Sequence, residues 1–283
     1  MMVSKPALRY HGGKFRLASW VMQFFPAHTC YVEPFGGAAG VLMQKPPAYA
    51  EVYNDLDQDM VNFFRVCRDP ATRAQLVAAC VMTPYARDEF DLAWQPADDP
   101  VERARRTVIR AQMGFGSAGA TKGKTGFRID SKRDYGTAMA LWAEYPDNIA
   151  QVGLRFAGVL IENRDACDVM RQHDAASTLH YVDPPYVFAT RQIERGRTYY
   201  RHELDDEGHV RLLEALKQLE GYVVLSGYDS VLYREHLAGW EMHYTDSRIA
   251  GNRGGKVRTE CLWLNPQCSA ALRAEAPQQR MFA

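Results

Sequence analysis

Residues 30–59 read CYVEPFGGAAGVLMQKPPAYAEVYNDLDQD, and the order of residue types along them decides the fold class. CYVE, at 30–33, is a short apolar run that predicts a strand; PFGGAAG then supplies three glycines, and VLMQK reads as helix-like. YAEVY, at 49–53, predicts a second strand ending at NDLDQD. That acidic cluster opens the apolar-periodic helix MVNFFRVCRD, with Asp55 or Asp57 near its cap. Strand, glycine turn, helix, strand, acid is the plan of a nucleotide-type cofactor site. The glycines alone do not establish it, because GGAAG is not GxGxxG and glycine turns after strands are common. Asp55 adds weight: it stands 19 positions beyond Gly36, near the roughly 20-residue offset at which an acid accepts ribose hydroxyls. The plainer reading is that Asp55 only caps the helix.

The alternation resumes further on. GVLIEN at 158–163 predicts a strand, a short helix follows Asp165, and STLHYV predicts a strand that delivers Asp183. The sequence YVDPPY, 181–186, then stops it, since two prolines cannot continue a helix or a central strand. Residues 205–220 predict an amphipathic helix, with Asp205 and Asp206 at its start, Val210, Leu213, Leu216 and Leu219 on one face, and Gly221 as its stop. YVVLSGY and VRTECLWLNP read as two further strands, and the last ten or so residues as a disordered tail.

With 283 residues the chain can bury a full core, as one large α/β domain or as a domain carrying an insertion. The expected division is 1–64, first part of the catalytic domain; 65–155, an insert; 156–270, second part; and 271–283, the tail. Lys plus Arg equals Asp plus Glu at 34 each, so any nucleic-acid surface must be local. Between 101 and 133 nine Lys or Arg face only Glu102 and Asp130, a net of plus seven. That window ends in GFGSAGATKGKTGFRID, a loop or hairpin by composition. The six cysteines are scattered, with no CxxC pair and no histidines at ligand spacing, which argues against a zinc site or a disulfide framework. No apolar signal core opens the chain and no run reaches membrane-spanning length, so a cytoplasmic protein is expected.

YHGGK at 10–14 is a second glycine pair: Gly12 and Gly13 would let backbone approach a ligand, and Lys14 could hold a carboxylate. Dispersed glycine, acid and lysine around one strand edge suit a small zwitterionic nucleoside better than a dinucleotide. Together Tyr10-His-Gly-Gly-Lys14, Tyr31-Val-Glu-Pro-Phe-Gly-Gly37, Val52-Tyr-Asn-Asp55 and Tyr181-Val-Asp-Pro-Pro-Tyr186 occur in the order seen in Dam-like, alpha-group (D12 class) DNA adenine N6-methyltransferases, which the chain resembles. The resemblance implies a Rossmann-like methyltransferase fold dependent on S-adenosyl-L-methionine, with a mostly helical target-recognition insert and double-stranded DNA as partner. It assigns catalysis to Asp183, Pro184, Pro185 and Tyr186. Asp183 would accept one hydrogen of the adenine amine, the Pro184 carbonyl the other, and Tyr186 would stack on a base flipped from the duplex.

By the same resemblance Tyr10, Gly12, Gly13 and Lys14 contact the cofactor. The turn beginning Glu33, Pro34, Phe35, Gly36 and Gly37 wraps its methionine part, and Asp55 takes the ribose hydroxyls. Asp165 resembles the family's acid near the cofactor adenine and equally reads as a helix N-cap. One departure stands out: where the family commonly has F-x-G-x-G, the second glycine is Ala39. No metal is required. Expected DNA contacts are Arg110, Lys122, Lys124, Arg128, Lys132 and Arg133 in the basic window, Arg191, Arg195 and Arg197 in RQIERGRTYYR after YVDPPY, and Arg253 and Lys256 in RIAGNRGGKVR. N4 methylation of cytosine, or a DNA-binding regulator without turnover, are the competing readings. A homodimer is a further possibility through the insert's helices.

Overall fold

The computed structural model describes residues 3, 5–121, 123–129, 137–191, 199–249 and 256–279. Seven strands, β1 (Cys30–Glu33), β2 (Ala50–Asn54), β3 (Val159–Glu162), β4 (Thr178–Val182), β5 (Tyr222–Gly227), β6 (Glu241–Ile249) and β7 (Lys256–Leu264), form one sheet. Its order is β3-β2-β1-β4-β5-β7-β6. The first five run parallel, and β7 pairs antiparallel with β5 and β6. From β1 the chain builds outward to β2 and β3, then returns to place β4 on β1's other side. The strand order therefore reverses between β1 and β4, and the crevice beyond their carboxyl ends is where such sheets take ligands. Both Glu33 and Asp183 emerge there. This is the α/β, Rossmann-like architecture expected from the alternation.

The sheet is buried on both faces, which is why its parallel strands read as apolar runs rather than alternating ones. One core joins Tyr31, Tyr53 and Leu179 of the sheet to Phe64, Val108, Trp142, Ile149 and Phe156 of the helices. Residues 65–155 thus share their core with the sheet. The helix Gln58–Arg68 lies against both the helix Pro100–Met113 and the helix Tyr145–Phe156, and Phe64 stacks on Phe156 at 4.2 Å. A second core, on the other face, includes Val32, Val182, Leu213, Leu216 and Trp263.

Three expectations are corrected. VLMQK is not a helix: residues 40–45 are successive turns, and Pro46 and Pro47 prevent continuation. Residues 271–279 of the expected tail belong instead to the helix Pro266–Gln279, and 280–283 lie outside the described residues. Asn265 starts it, accepting from Cys268 N and Val223 N at 3.0 Å each, while Cys268 is fully buried. The Asn-Pro pair was the overlooked start signal. Strand β6 was not expected at all; it is the sheet's edge and carries polar residues on both faces.

Candidate active site

Three strand ends are tied together before any ligand is considered. Asn54, closing β2, donates to Pro34 O at 2.8 Å and Arg164 O at 3.0 Å, and Gly36 N donates to Asn54 O at 2.8 Å. Asp55 accepts from Gly37 N and Asp57 N, both at 2.7 Å, so it straps the glycine turn to the next helix. A Cβ on Gly36 would lie 2.1 Å from the Tyr53 ring, which accounts for glycine there. Ala39, by contrast, holds φ +53° and is fully buried. The backbone keeps a left-handed turn at this position although its residue carries a side chain.

Beyond these strand ends lies a cleft of about 900 Å³, open solvent at its mouth included. Tyr10, Gly12, Gly13, Lys14, the run Glu33–Gly37, Asp55 and Asp183 all line it, as the sequence reading grouped them. Asp165 does not. It caps the helix Ala166–Gln172, accepting from Cys167 N and Asp168 N, and pairs with Arg211 at 2.9 Å; only its neighbour Ala166 reaches the cleft. The structure shows the helix cap expected of Asp165.

The cleft carries five acids, Glu33, Asp55, Asp57, Asp183 and Glu203, against two permanent cations, Lys14 and Arg201. Burial raises Glu33 to about 8 and Asp55 to about 6, although Tyr31 and backbone donors oppose the shift. An excess of buried acid attracts a cationic ligand, which would restore their ionisation. Burial also raises the Asp183 carboxyl, and Lys14 pulls it partly back. Burial disfavours the Lys14 ammonium, but Asp183 and Glu260 outweigh it and keep Lys14 protonated. The Lys14 Nζ sits 2.9 Å from Asp183 Oδ1 and donates to Oδ2 at 3.1 Å. Oδ1 is buried and accepts no hydrogen bond among the described residues.

A second cavity, about 420 Å³, adjoins the first; Asp183, Lys14, His11, Gly12 and Tyr200 line both. Pro184 and Tyr186 line the second alone. The Tyr186 ring has Tyr228 edge-on at 4.6 Å and the Lys14 ammonium 4.7 Å from its centroid. Its hydroxyl donates to Glu260 Oε2 at 2.7 Å, and its carbonyl accepts from Arg191 Nε. Behind the motif, buried His209 faces the Pro185 backbone and bonds the Tyr233 hydroxyl at 3.1 Å; burial lowers its imidazole to about 4. Sequence reasoning missed Glu260, Tyr228, Arg258 and His209, since nothing local in β5, β7 or a helix face marks a residue that meets residue 186 in space. His11 was quoted within YHGGK and given no role.

Among its described residues the basic window does not form a free cationic surface. Arg110 is buried, bonding Asp59 Oδ2 at 2.7 Å and the Ala93 carbonyl, so it is a core ion pair rather than a DNA contact. Arg103 pairs with Asp59, Arg105 with Glu89 and Glu102, and Arg106 with Glu102. The plus-seven count missed Asp59 and Glu89 because they lie outside the window. Arg128 is also buried. Arg191, 8 % exposed, pairs with Glu203 at 2.7 Å, and Arg201 pairs with Asp57 and Asp59, so both hold the site together rather than face a phosphate. Lys124 is exposed, 3.0 Å from Asp91. Lys122, Lys132, Arg133, Arg195, Arg197 and Arg253 lie outside the described residues, and Lys256 is described only as the first residue of β7.

The profile of a family described as D12 class N6 adenine-specific DNA methyltransferase matches residues 10–91 and 127–249. The DNA adenine methylases of Escherichia coli strain K12 and of E. coli O157:H7 are each 23% identical to the chain over 277 residues, covering 92% of it and 94% of their own length.

Proposed function

The chain belongs to the D12 class of N6 adenine-specific DNA methyltransferases, and on that premise we propose that the larger cleft binds S-adenosylmethionine and the adjoining cavity receives the target adenine, flipped from the duplex. The observation that carries this reading is Asp183 at the wall common to both cavities, its Oδ1 buried in ion-pair contact with Lys14 but accepting no hydrogen bond among the described residues. A carboxylate oxygen has two lone pairs, so beside the Lys14 ammonium it keeps room for a further donor. The exocyclic amine of adenine supplies one.

The excess of acid in the cleft fits a cofactor that bears an ammonium and a sulfonium against one carboxylate. Asp55 already accepts two backbone N–H groups, and a carboxylate has about four acceptor sites, so capacity remains for ribose hydroxyls. Glu33, Tyr10 and the turn Pro34–Gly37 face the rest of the ligand. When bound, S-adenosylmethionine supplies an electrophilic methyl group.

The chain's own groups then act on the amine. Asp183 Oδ1 accepts one N6 hydrogen and the Pro184 carbonyl the other, turning the nitrogen lone pair out of the ring and toward the cleft. Pro185 keeps that carbonyl from rotating away. Tyr186 provides the stacking face. Lys14, held protonated by Asp183, orients the carboxylate and cannot serve as the base. Lys124, exposed in the irregular stretch after the helix Pro100–Met113, is a phosphate contact by the same reading.

Titration calorimetry of S-adenosylmethionine into the wild type and Asp55→Ala tests the cofactor assignment. Loss of the ribose contacts weakens binding at least about tenfold, the cost of hydrogen bonds to a charged group; equal affinities refute it.

A further inference from the structure

Tyr186 would be a poor platform if its ring were free to turn, and β7 supplies what prevents it. Glu260 sits in mid-strand, paired opposite Thr245 of β6, with its neighbour Cys261 opposite Gly227 of β5. Its backbone is therefore fixed by β6, and that of its neighbour by β5 as well. The side chain reaches into the adenine cavity, where Oε2 accepts the Tyr186 hydroxyl at 2.7 Å; the residue is 8 % exposed. An O–H donor to a buried carboxylate makes a short, charge-assisted bond. Tyr228, itself bonded by Arg258 Nη1 at 3.0 Å, closes the ring's edge.

Resting on the adenine-pocket reading, we infer that Glu260 is the positioning residue of this reaction: it locks the Tyr186 ring, and through it the plane of the flipped adenine, relative to Asp183. The backbone of Tyr186 is held separately, by Arg191 at its carbonyl. Two independent anchors, one on the main chain and one on the hydroxyl, leave the ring a single orientation. Glu260 acts through Tyr186; it contributes an acceptor, and a neutral acceptor of the same shape does the same work.

The test is a set of four variants, Glu260→Ala, Glu260→Gln, Tyr186→Phe and the double Glu260→Ala/Tyr186→Phe, assayed for kcat, for KM toward duplex and S-adenosylmethionine, and for thermal stability. Glu260→Ala and Tyr186→Phe each lower kcat about 10- to 100-fold, as misplacement of a reacting group does, with KM for S-adenosylmethionine little changed. The double variant is no worse than the worse single one, because both break the same bond. Glu260→Gln returns kcat to within about threefold of wild type. A Gln variant as impaired as Ala, additive losses, or a fall in activity that only follows thermal stability would each overturn the inference. If the wild type fails to methylate adenine, the parent reading fails instead. The positioning is then decided by a crystal structure of Glu260→Ala, in which the Tyr186 ring must have turned; an unmoved ring refutes it.

Discussion

Replacing Glu33 by Gln isolates the electrostatic cost built into the cleft. Glu33 is 3 % exposed, and its Oε2 accepts from the Tyr31 hydroxyl at 2.7 Å and Leu42 N at 3.1 Å. A glutamine carbonyl can accept both, so the packing survives. Burial raises the carboxyl from 4.5 to about 8, so between those values the folded protein holds a proton that the unfolded chain has lost. Its contribution to stability is complete below about pH 4.5 and is lost as pH rises through about 8. One extra proton in the native state gives a slope of about 1.4 kcal/mol per pH unit. From pH 5.5 to pH 7.5 the wild type therefore loses up to about 3 kcal/mol that the variant keeps. Denaturant unfolding of both proteins across that range measures it, and the difference between the two profiles removes the other buried acids. Parallel profiles would refute the account of Glu33. A cationic cofactor favours the ionised form, so wild-type affinity for S-adenosylmethionine should also rise with pH toward about 8, whereas in Glu33→Gln the rise should level off above about pH 6, where Asp55 has titrated.

Ala39 occupies a left-handed turn, φ +53°. Ala39→Gly relieves a cost of about 1–2 kcal/mol but loses a buried methyl worth about 0.8 kcal/mol and adds unfolded-state freedom, so stability stays within about 1 kcal/mol. Ala39→Val, β-branched at positive φ, lowers it by more than about 2 kcal/mol in the same unfolding assay; a neutral valine would show the turn to be relaxed. Arg110→Met breaks a buried ion pair and destabilises the protein near the lower end of the roughly 3–5 kcal/mol expected, since Arg103 and Arg201 still pair with Asp59. The slope of DNA affinity against salt should be unchanged. A slope reduced by about one would return Arg110 to the DNA interface.

The fold was legible where local patterns sufficed. CYVE, YAEVY, VLIE and TLHYV announced parallel strands by apolar runs between turn signals, and DPPY announced an end by its prolines. Strand β6 was not legible, because an edge strand needs no apolar face and EMHYTDSRI offers none. The C-terminal helix was written off through composition although Asn265 and Pro266 mark its start. In the site, residues at or directly after strand ends, Glu33, Asp55 and Asp183, were found because the topology of such sheets brings strand ends together. Glu260, Tyr228 and His209 were not, since each is defined by its distance to a residue far away in sequence. The basic window misled for the same reason: Asp59 and Glu89 cancel its arginines across helix contacts that no count within the window includes.

The central claim is that Asp183 and its two prolines present an adenine amine to the cleft. Methyl transfer from labelled S-adenosylmethionine to unmethylated duplex DNA, by wild type and by Asp183→Ala with nucleoside analysis of the product, tests it most directly. The account predicts N6-methyladenine from the wild type, and from Asp183→Ala none above background although the variant still binds duplex. N4-methylcytosine as the product, or an Asp183→Ala variant that still methylates adenine at an appreciable rate, would contradict it.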